Sequence, residues 1–159
     1  MKRRTLVVAA VAVLAVHVPL LAQTMYWDGN FSSVTLPDLT STADVVTGNS
    51  TQRLVLTGDA ELSADNTSSA QLSGPGGETL LTEYRLGFDG EGITATGAGG
   101  TTWTTHDSFL VPAVSITHVA GDDDVDVTLH VRASMPGPGA ADAGAYSATQ
   151  TLTVSWVGP

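Results

Sequence analysis

The chain has 159 residues, with 6 Lys and Arg against 16 Asp and Glu, a formal net charge of −10 and no cysteine. Such an acidic chain lacks the basic face that phosphate backbones require, so nucleic acid is excluded as a partner. Disulfides and zinc–thiolate sites are excluded by the missing cysteines, and the length fits one domain with its own core. Beyond residue 22, the basic side chains are Arg53, Arg85 and Arg132.

The N-terminus has the organisation of a secretory signal peptide. Basic residues at Lys2–Arg4 precede an unbroken apolar run from Leu6 to Val16, and a small residue stands at Ala22. The run is shorter than the roughly 20 residues that a transmembrane helix needs. We therefore predict a signal peptide helix over residues 1–22 and one mature domain over 23–159. The domain would be secreted to the periplasm or cell surface, without stable membrane insertion after cleavage. A retained N-terminal anchor is the alternative.

The segment from Gln23 to Leu36 is predicted as the first strand, with a bulge at Ser32-Ser33. Apolar and polar residues alternate with a period of two, and the bulge absorbs a shift of phase before Val34 and Leu36. The first half of its apolar face consists of Met25, Trp27, Gly29 and Phe31.

The middle of the chain predicts short strands separated by turns rich in Gly, Asp and Pro. Thr79–Phe88 and Val125–Ala133 alternate most clearly. Shorter strands are predicted at Val45–Val46, Arg53–Thr57, Glu61–Ala64, Ala70–Ser73, Ile93–Thr96, Thr101–His106 and Phe109–Val119. The main turns are predicted at Gly48-Asn49-Ser50, Gly74–Gly77, Asp89–Gly92 and Gly121–Asp124.

The last predicted strand runs from Gly144 to Val157 and has one apolar and one hydroxyl-rich face. Burying a large apolar side chain of this strand contributes about 1.5–3 kcal/mol. Its apolar face includes Tyr146, Leu152, Val154 and Trp156. Because the mature chain shows no sustained helical periodicity, we predict an all-β, antiparallel sandwich of about seven to nine strands.

Two residue groups suggest chemistry but fail on geometry. His106-Asp107-Ser108 has the residue types of a catalytic triad, yet neighbours on a strand point to opposite faces. Asp122, Asp124 and Asp126 match the first positions of a calcium loop. Val127 and Ala133 then replace its required Gly and Glu. The sequence therefore predicts no enzyme, no cofactor and no metal site, while weak calcium binding at this acidic tip stays open.

The C-terminal half resembles a bacterial family. Tyr84-x-Leu86 before an acidic glycine turn, a later Trp103, and Gly144-x-Tyr146 before the final strand carry the likeness, over roughly Thr79 to Trp156. This pattern is similar to the spore coat protein U, or secreted fimbrial-subunit-like (pilin-like), group. The chain departs from that group in having no cysteine and in having Ala148 where an acidic residue is common. The resemblance implies an incomplete immunoglobulin-like sandwich completed by a neighbour's strand.

These observations predict a secreted structural or adhesive protein, a pilus- or fibre-subunit-like sandwich without catalytic activity. Its partners would be itself or other subunits, joined by strand addition. The candidate donor strand presents Met25, Trp27, Gly29 and Phe31; alternatively, the same segment pairs within its own domain as the first strand. A secreted carbohydrate- or protein-binding module, displaying aromatic residues such as Trp103 and Tyr26, is the alternative function. A secreted hydrolase would need a deep cleft that gathers acidic or histidine side chains.

Overall fold

The structure of the protein, a computed structural model, describes residues 23–137 and 143–157, so the predicted signal peptide at 1–22 lies outside the described residues. The described chain is built from strands, with one short 3₁₀ turn at Ser68–Ala70. The strands are β1 Met25–Trp27, β2 Val45–Leu56, β3 Ala60–Ala64, β4 Leu81–Phe88, β5 Thr104–Thr105, β6 Val114–Ile116, β7 Asp124–Ser134 and β8 Leu152–Trp156. The predicted all-β class is confirmed.

The strands form two antiparallel sheets that share one core. The larger sheet has five strands in the order β1-β2-β7-β4-β5, and the smaller has three in the order β6-β3-β8. Strand β7 is the centre of the larger sheet. It pairs with β2 from Val45 opposite Ser134 to Val55 opposite Asp124, and with β4 along the whole length of β4. The core therefore forms along β7.

Two-residue alternation decides which side of each strand faces the core. On β7 the odd positions from Val125 to Ala133 are buried, while the even positions from Asp124 to Ser134 are partly exposed. The same alternation holds on β4, where the buried residues are at even positions and include Tyr84 and Leu86. Each large apolar side chain buried in this way contributes about 1.5–3 kcal/mol. The fully buried large side chains include Leu54, Leu56, Leu62, Phe109 and Ile116.

The final strand alternates as predicted, but its regular part is shorter. Leu152, Val154 and Trp156 pack against the core, whereas Thr153 and Ser155 are exposed. Regular pairing with β3 begins only at Leu152, opposite Ala64. Upstream of Leu152 the chain makes an isolated bridge between Ser147 and Ser73.

The predicted turn at Gly48-Asn49-Ser50 is wrong, because these residues lie inside the continuous strand β2. Glycine is needed there for space. A Cβ atom on Gly48 would lie 2.4 Å from Val34 Cγ1 and 3.0 Å from Leu36 Cδ2, since residues 34–36 cross the inner face of β2 at this point. Ser50 is buried and its hydroxyl bonds to Ser32. Residues that are typical of turns here permit the close approach of another segment.

Other predicted strands are wrong or shorter in the structure because loop contacts replace strand pairing. Residues 93–96 form bends, and the Thr96 N–H donates to the Asp122 carboxylate at 2.7 Å. Of the segment predicted as the first strand, residues 23–36, only β1 is a strand, and Ser32 bonds the Ser50 side chain where a bulge was predicted. Ala70–Ser73 is replaced by the 3₁₀ turn and an isolated bridge, Thr101–His106 contracts to β5, and Phe109–Val119 contracts to β6.

We predict that Gly48→Ala lowers the free energy of unfolding by about 1–3 kcal/mol, because the new methyl group overlaps the stiff Val34 side chain. Chemical denaturation would measure it. Gly99→Ala is the matched control, since a Cβ there has nothing within 4 Å. Both substitutions restrict the unfolded chain alike. Equal stability of the two variants would contradict the crossing of residues 34–36 over β2.

Candidate partner-binding groove

A groove of about 1120 Å³ opens over the inner face of the larger sheet. One wall is the N-terminal arm, defined as residues 31–40, and the other is the C-terminal tail, defined as residues 143–150. The floor consists of inward-facing side chains of β2, β4 and β7: Val46, Ser50, Tyr84, Leu129, Val131 and Ala133. The groove thus lies where two extended segments, rather than paired strands, cover the larger sheet.

The arm is fixed at both ends and packed in its middle. At one end, the Ser32 N–H donates to the Ser50 hydroxyl at 3.0 Å. At the other end, the Asp44 carboxylate accepts bonds from the backbone and hydroxyl groups of Thr40 and Ser41. These bonds, led by that of the Thr40 hydroxyl, lower the pKa of Asp44 to about 2. The arm is therefore a defined wall of the groove.

The tail is bonded on one edge. Ser147 exchanges backbone hydrogen bonds with Ser73, and the Thr149 N–H donates to the Ser69 carbonyl at 2.7 Å. In an extended chain, alternate residues direct their backbone groups to opposite edges. Residues 143–150 also line the groove, so a strand added there would lie beside the tail.

The floor is apolar apart from the buried hydroxyls of Ser50 and Tyr84. Tyr84 is 3% exposed and its hydroxyl donates to the Ala70 carbonyl at 2.7 Å. The centroid of its ring lies 5.4 Å from the ring centroid of Phe109. Burial raises the pKa of Tyr84 to about 12. Leu129 and Val131 complete the floor and are 9% exposed. An apolar side chain entering the groove would meet a preformed surface.

The candidate donor residues pair within their own chain in this single-chain structure. β1 is antiparallel to β2, with Met25 opposite Leu56 and Trp27 opposite Leu54. Three of the four residues, Met25, Trp27 and Phe31, pack against the core. The fourth, Gly29, takes the positive φ of 103° that turns the chain from β1 towards the arm. This is the arrangement of the alternative, a first strand of its own domain; donation to a second copy stays a prediction.

The two aromatic candidates for a binding module lie at opposite edges of the larger sheet. Tyr26 is on the edge strand β1 and is 51% exposed, while Trp103 immediately precedes the other edge strand, β5. They do not form one platform. Trp103 instead contacts two arginines, with the Arg85 and Arg132 guanidinium carbons 5.1 and 4.7 Å from its ring centroid. This cluster is not among the sequence-based predictions, although the two-residue spacing from Glu83 to Arg85 on a strand indicates a shared face.

Each of the four carboxylates of the acidic tip is bonded to another side chain or backbone group of the chain. Asp122 accepts from Thr96, Asp123 lies 2.9 Å from His118 Nε2, and both Asp124 and Asp126 pair with Arg53. Among residues 23–137 and 143–157, no group of three or more His, Asp or Glu side chains is placed to hold a metal ion. In the triad-like sequence, the Ser108 hydroxyl bonds to Asp107 rather than to a histidine.

Comparison with known proteins identifies no relative. No protein-family model matches the chain, and neither a curated protein nor a solved structure does. The resemblance to the spore coat protein U group therefore remains a resemblance. Within the described residues, no helix has the length and hydropathy needed to cross a bilayer.

We predict that calcium leaves the melting temperature unchanged, because the carboxylates of the acidic tip are already bonded to Thr96, His118 and Arg53. Calorimetry in excess calcium chloride and in excess chelator would measure it. Magnesium chloride at equal ionic strength controls for screening of the chain's negative charge. A rise of several degrees that is specific to calcium would contradict the prediction.

We predict that His130 titrates below the ordinary histidine pKa of about 6.5. Burial is the main cause of the lowered pKa, and the positive charge of Arg85 adds to it. Replacing Arg85 by Gln removes a positive neighbour, so the pKa of His130 should rise while staying below the ordinary value. NMR titration of the imidazole resonances measures both. Arg53→Gln is the control and should leave the His130 titration unchanged.

Proposed function

We propose that the protein is a non-catalytic structural or adhesive subunit of an extracellular assembly. Its immunoglobulin-like sandwich would be completed by a strand from a neighbouring copy, added in the groove between arm and tail. The groove is the observation that carries this proposal. The N-terminal sequence, which is typical of an exported protein, and the acidic composition agree with an extracellular location.

The unequal sizes of the sheets support an added strand. Five strands face three, and the part of the larger sheet that lacks a paired strand opposite it is the floor of the groove. The arm extends over ten residues and the tail over eight. At about 3.3 Å per residue, a strand of about six residues is shorter than either wall. An inserted strand would lie beside the tail and place alternate side chains on the apolar floor.

The chain has a segment of suitable length and pattern to act as donor. Residues 25–31 alternate large apolar side chains with polar ones, and their glycine allows close approach of backbones. In a single chain, this segment is held by the three paired residues of β1, by hydrogen bonds of the Asp28 backbone with Arg53 and Gln52, and by side-chain packing. Exchange between copies replaces those contacts with longer strand pairing. Such head-to-tail contacts form open fibres when the rotation does not close.

We predict that Val46→Lys abolishes assembly of the full chain, while Val45→Lys does not. Val46 is half-buried and lines the groove, so a lysine there places a charge where the donor's apolar side chains must pack. Val45 is 59% exposed on the opposite face of β2. Sedimentation velocity and electrophoresis without boiling, on protein exported from an expression host, would distinguish multimers from monomers.

A peptide test separates failure to donate from failure to fold. A chain lacking residues 23–31 should remain folded, fail to assemble, and bind a synthetic peptide of residues 23–31. Peptide binding should be lost in the same truncated chain carrying Val46→Lys, because the groove and not the edge of β2 is the proposed acceptor. A wild-type chain that stays monomeric at high concentration, or a truncated chain that unfolds, would overturn the proposal.

A further inference from the structure

A second depression lies on the opposite side of the larger sheet, far from the groove. It has a volume of about 380 Å³, near the lower limit for small-molecule sites. Gly87 on β4, which lies opposite Thr128 in the sheet register, is one of its lining residues. A Cβ atom there would first meet His130 Nε2, at 3.4 Å. The loop residues Gly99, Gly100 and Thr101 form the rim.

Arg85 differs from the two other arginines of the described chain. Arg53 pairs with Asp124 and Asp126, and Arg132 makes a two-pronged bond to Glu83 at 2.7 and 2.9 Å. No carboxylate within residues 23–137 and 143–157 pairs with Arg85, and its buried Nε has no hydrogen-bond partner. An unpaired guanidinium is unexpected in a chain with 16 acidic residues and marks a place where an outside anion would be bound.

Neighbouring side chains hold this guanidinium in place. Trp103 lies 5.1 Å from the Arg85 guanidinium carbon, and Arg132 contacts the same ring while its charge is neutralised by Glu83. His130 stands opposite Arg85 in the sheet register and lines the depression. A guanidinium that is held by an aromatic contact loses little side-chain entropy when it forms a bidentate bond to a carboxylate.

The rim favours a ligand with hydroxyl groups and a single charge. The Thr101 hydroxyl accepts the Leu86 N–H at 2.7 Å, which leaves its own proton to donate. Exposed peptide groups of Gly99 and Gly100 offer further polar contacts. Glu91 also lines the depression, and the chain as a whole carries a formal charge of −10, so a polyanion would be repelled. One carboxylate with neutral hydroxyls fits these surroundings.

We propose that Arg85 binds the carboxylate of a small, singly charged sugar acid, seated over Gly87 between His130 and the rim at Thr101. The carboxylate takes the two-pronged bond to the guanidinium, and the sugar hydroxyls bond to Thr101 and the glycine peptides. This site is independent of the groove and of the proposed assembly.

The test is an NMR titration of the full chain with sodium D-glucuronate, following the Trp103 indole and His130 resonances. The Trp103→Phe variant assigns the indole signal. Arg85→Gln should weaken binding at least tenfold, and Gly87→Val should abolish it by filling the depression. Arg53→Gln, which removes an arginine already paired with aspartates, should bind as the wild type does. The melting temperature of each variant reports its folding; if Gly87→Val unfolds, Arg85→Gln decides alone.

The choice of probes separates the possible sources of binding. D-Glucose should bind at least tenfold more weakly than glucuronate because it lacks the carboxylate, and acetate should also bind more weakly because it lacks the hydroxyls. Equal binding of glucose, equal binding of acetate, or tighter binding of inorganic phosphate or polygalacturonate would each overturn the proposal. So would Arg85→Gln binding with wild-type affinity. The groove variant Val46→Lys should bind glucuronate normally, which keeps this test separate from that of assembly.

Discussion

The burial of one row of side chains along β7 is the interaction on which the rest of the structure depends. β7 lies in the middle of the larger sheet and has apolar cover on one side. Its inward-facing residues are Val125, Val127, Leu129, Val131 and Ala133. Its long pairing with β2 and β4 follows from that position. A shift of register by one residue would expose these apolar side chains to solvent and bury Asp126 and Arg132. The register is therefore strongly specified.

The segments that cover the inward-facing side chains of β7 differ along the strand. The groove lies where the covering segments are not paired strands of the smaller sheet. Towards the Val125 end, the smaller sheet and Phe109 close the core completely. Towards the Ala133 end, the cover is an arm that crosses β2 at Gly48 and a tail bonded along one edge. Leu129 and Val131 thus lie beneath a gap between two extended segments. The proposed function uses this gap, which a strand from outside could fill.

The two faces of the larger sheet differ in the kind of side chains that they present. The inner face is apolar and forms the floor of the groove, whereas the outer face concentrates charge and an aromatic ring around β4 and β7. Glu83, Arg85, His130 and Arg132 meet there because cross-strand register brings them side by side. Pairing of Arg132 with Glu83 leaves Arg85 as the available positive group. An assembly function and a ligand site can therefore occupy opposite faces of the same sheet.

The sequence by itself determined the all-β class, the phase of β4, β7 and β8, and the missing cysteine cross-links, because strand alternation is a local property of neighbouring residues. It did not place the arm: Gly48, Asn49 and Ser50 are turn-like in composition, and only the packing of Val34 and Leu36 explains their place within β2. Ile93 to Thr96 likewise alternates like a strand, yet the bond from Thr96 to Asp122 holds it as a loop. The groove and the Trp103 cluster join residues far apart in the chain. Tertiary structure alone decided them, because register and the crossing of segments depend on contacts that no local pattern contains.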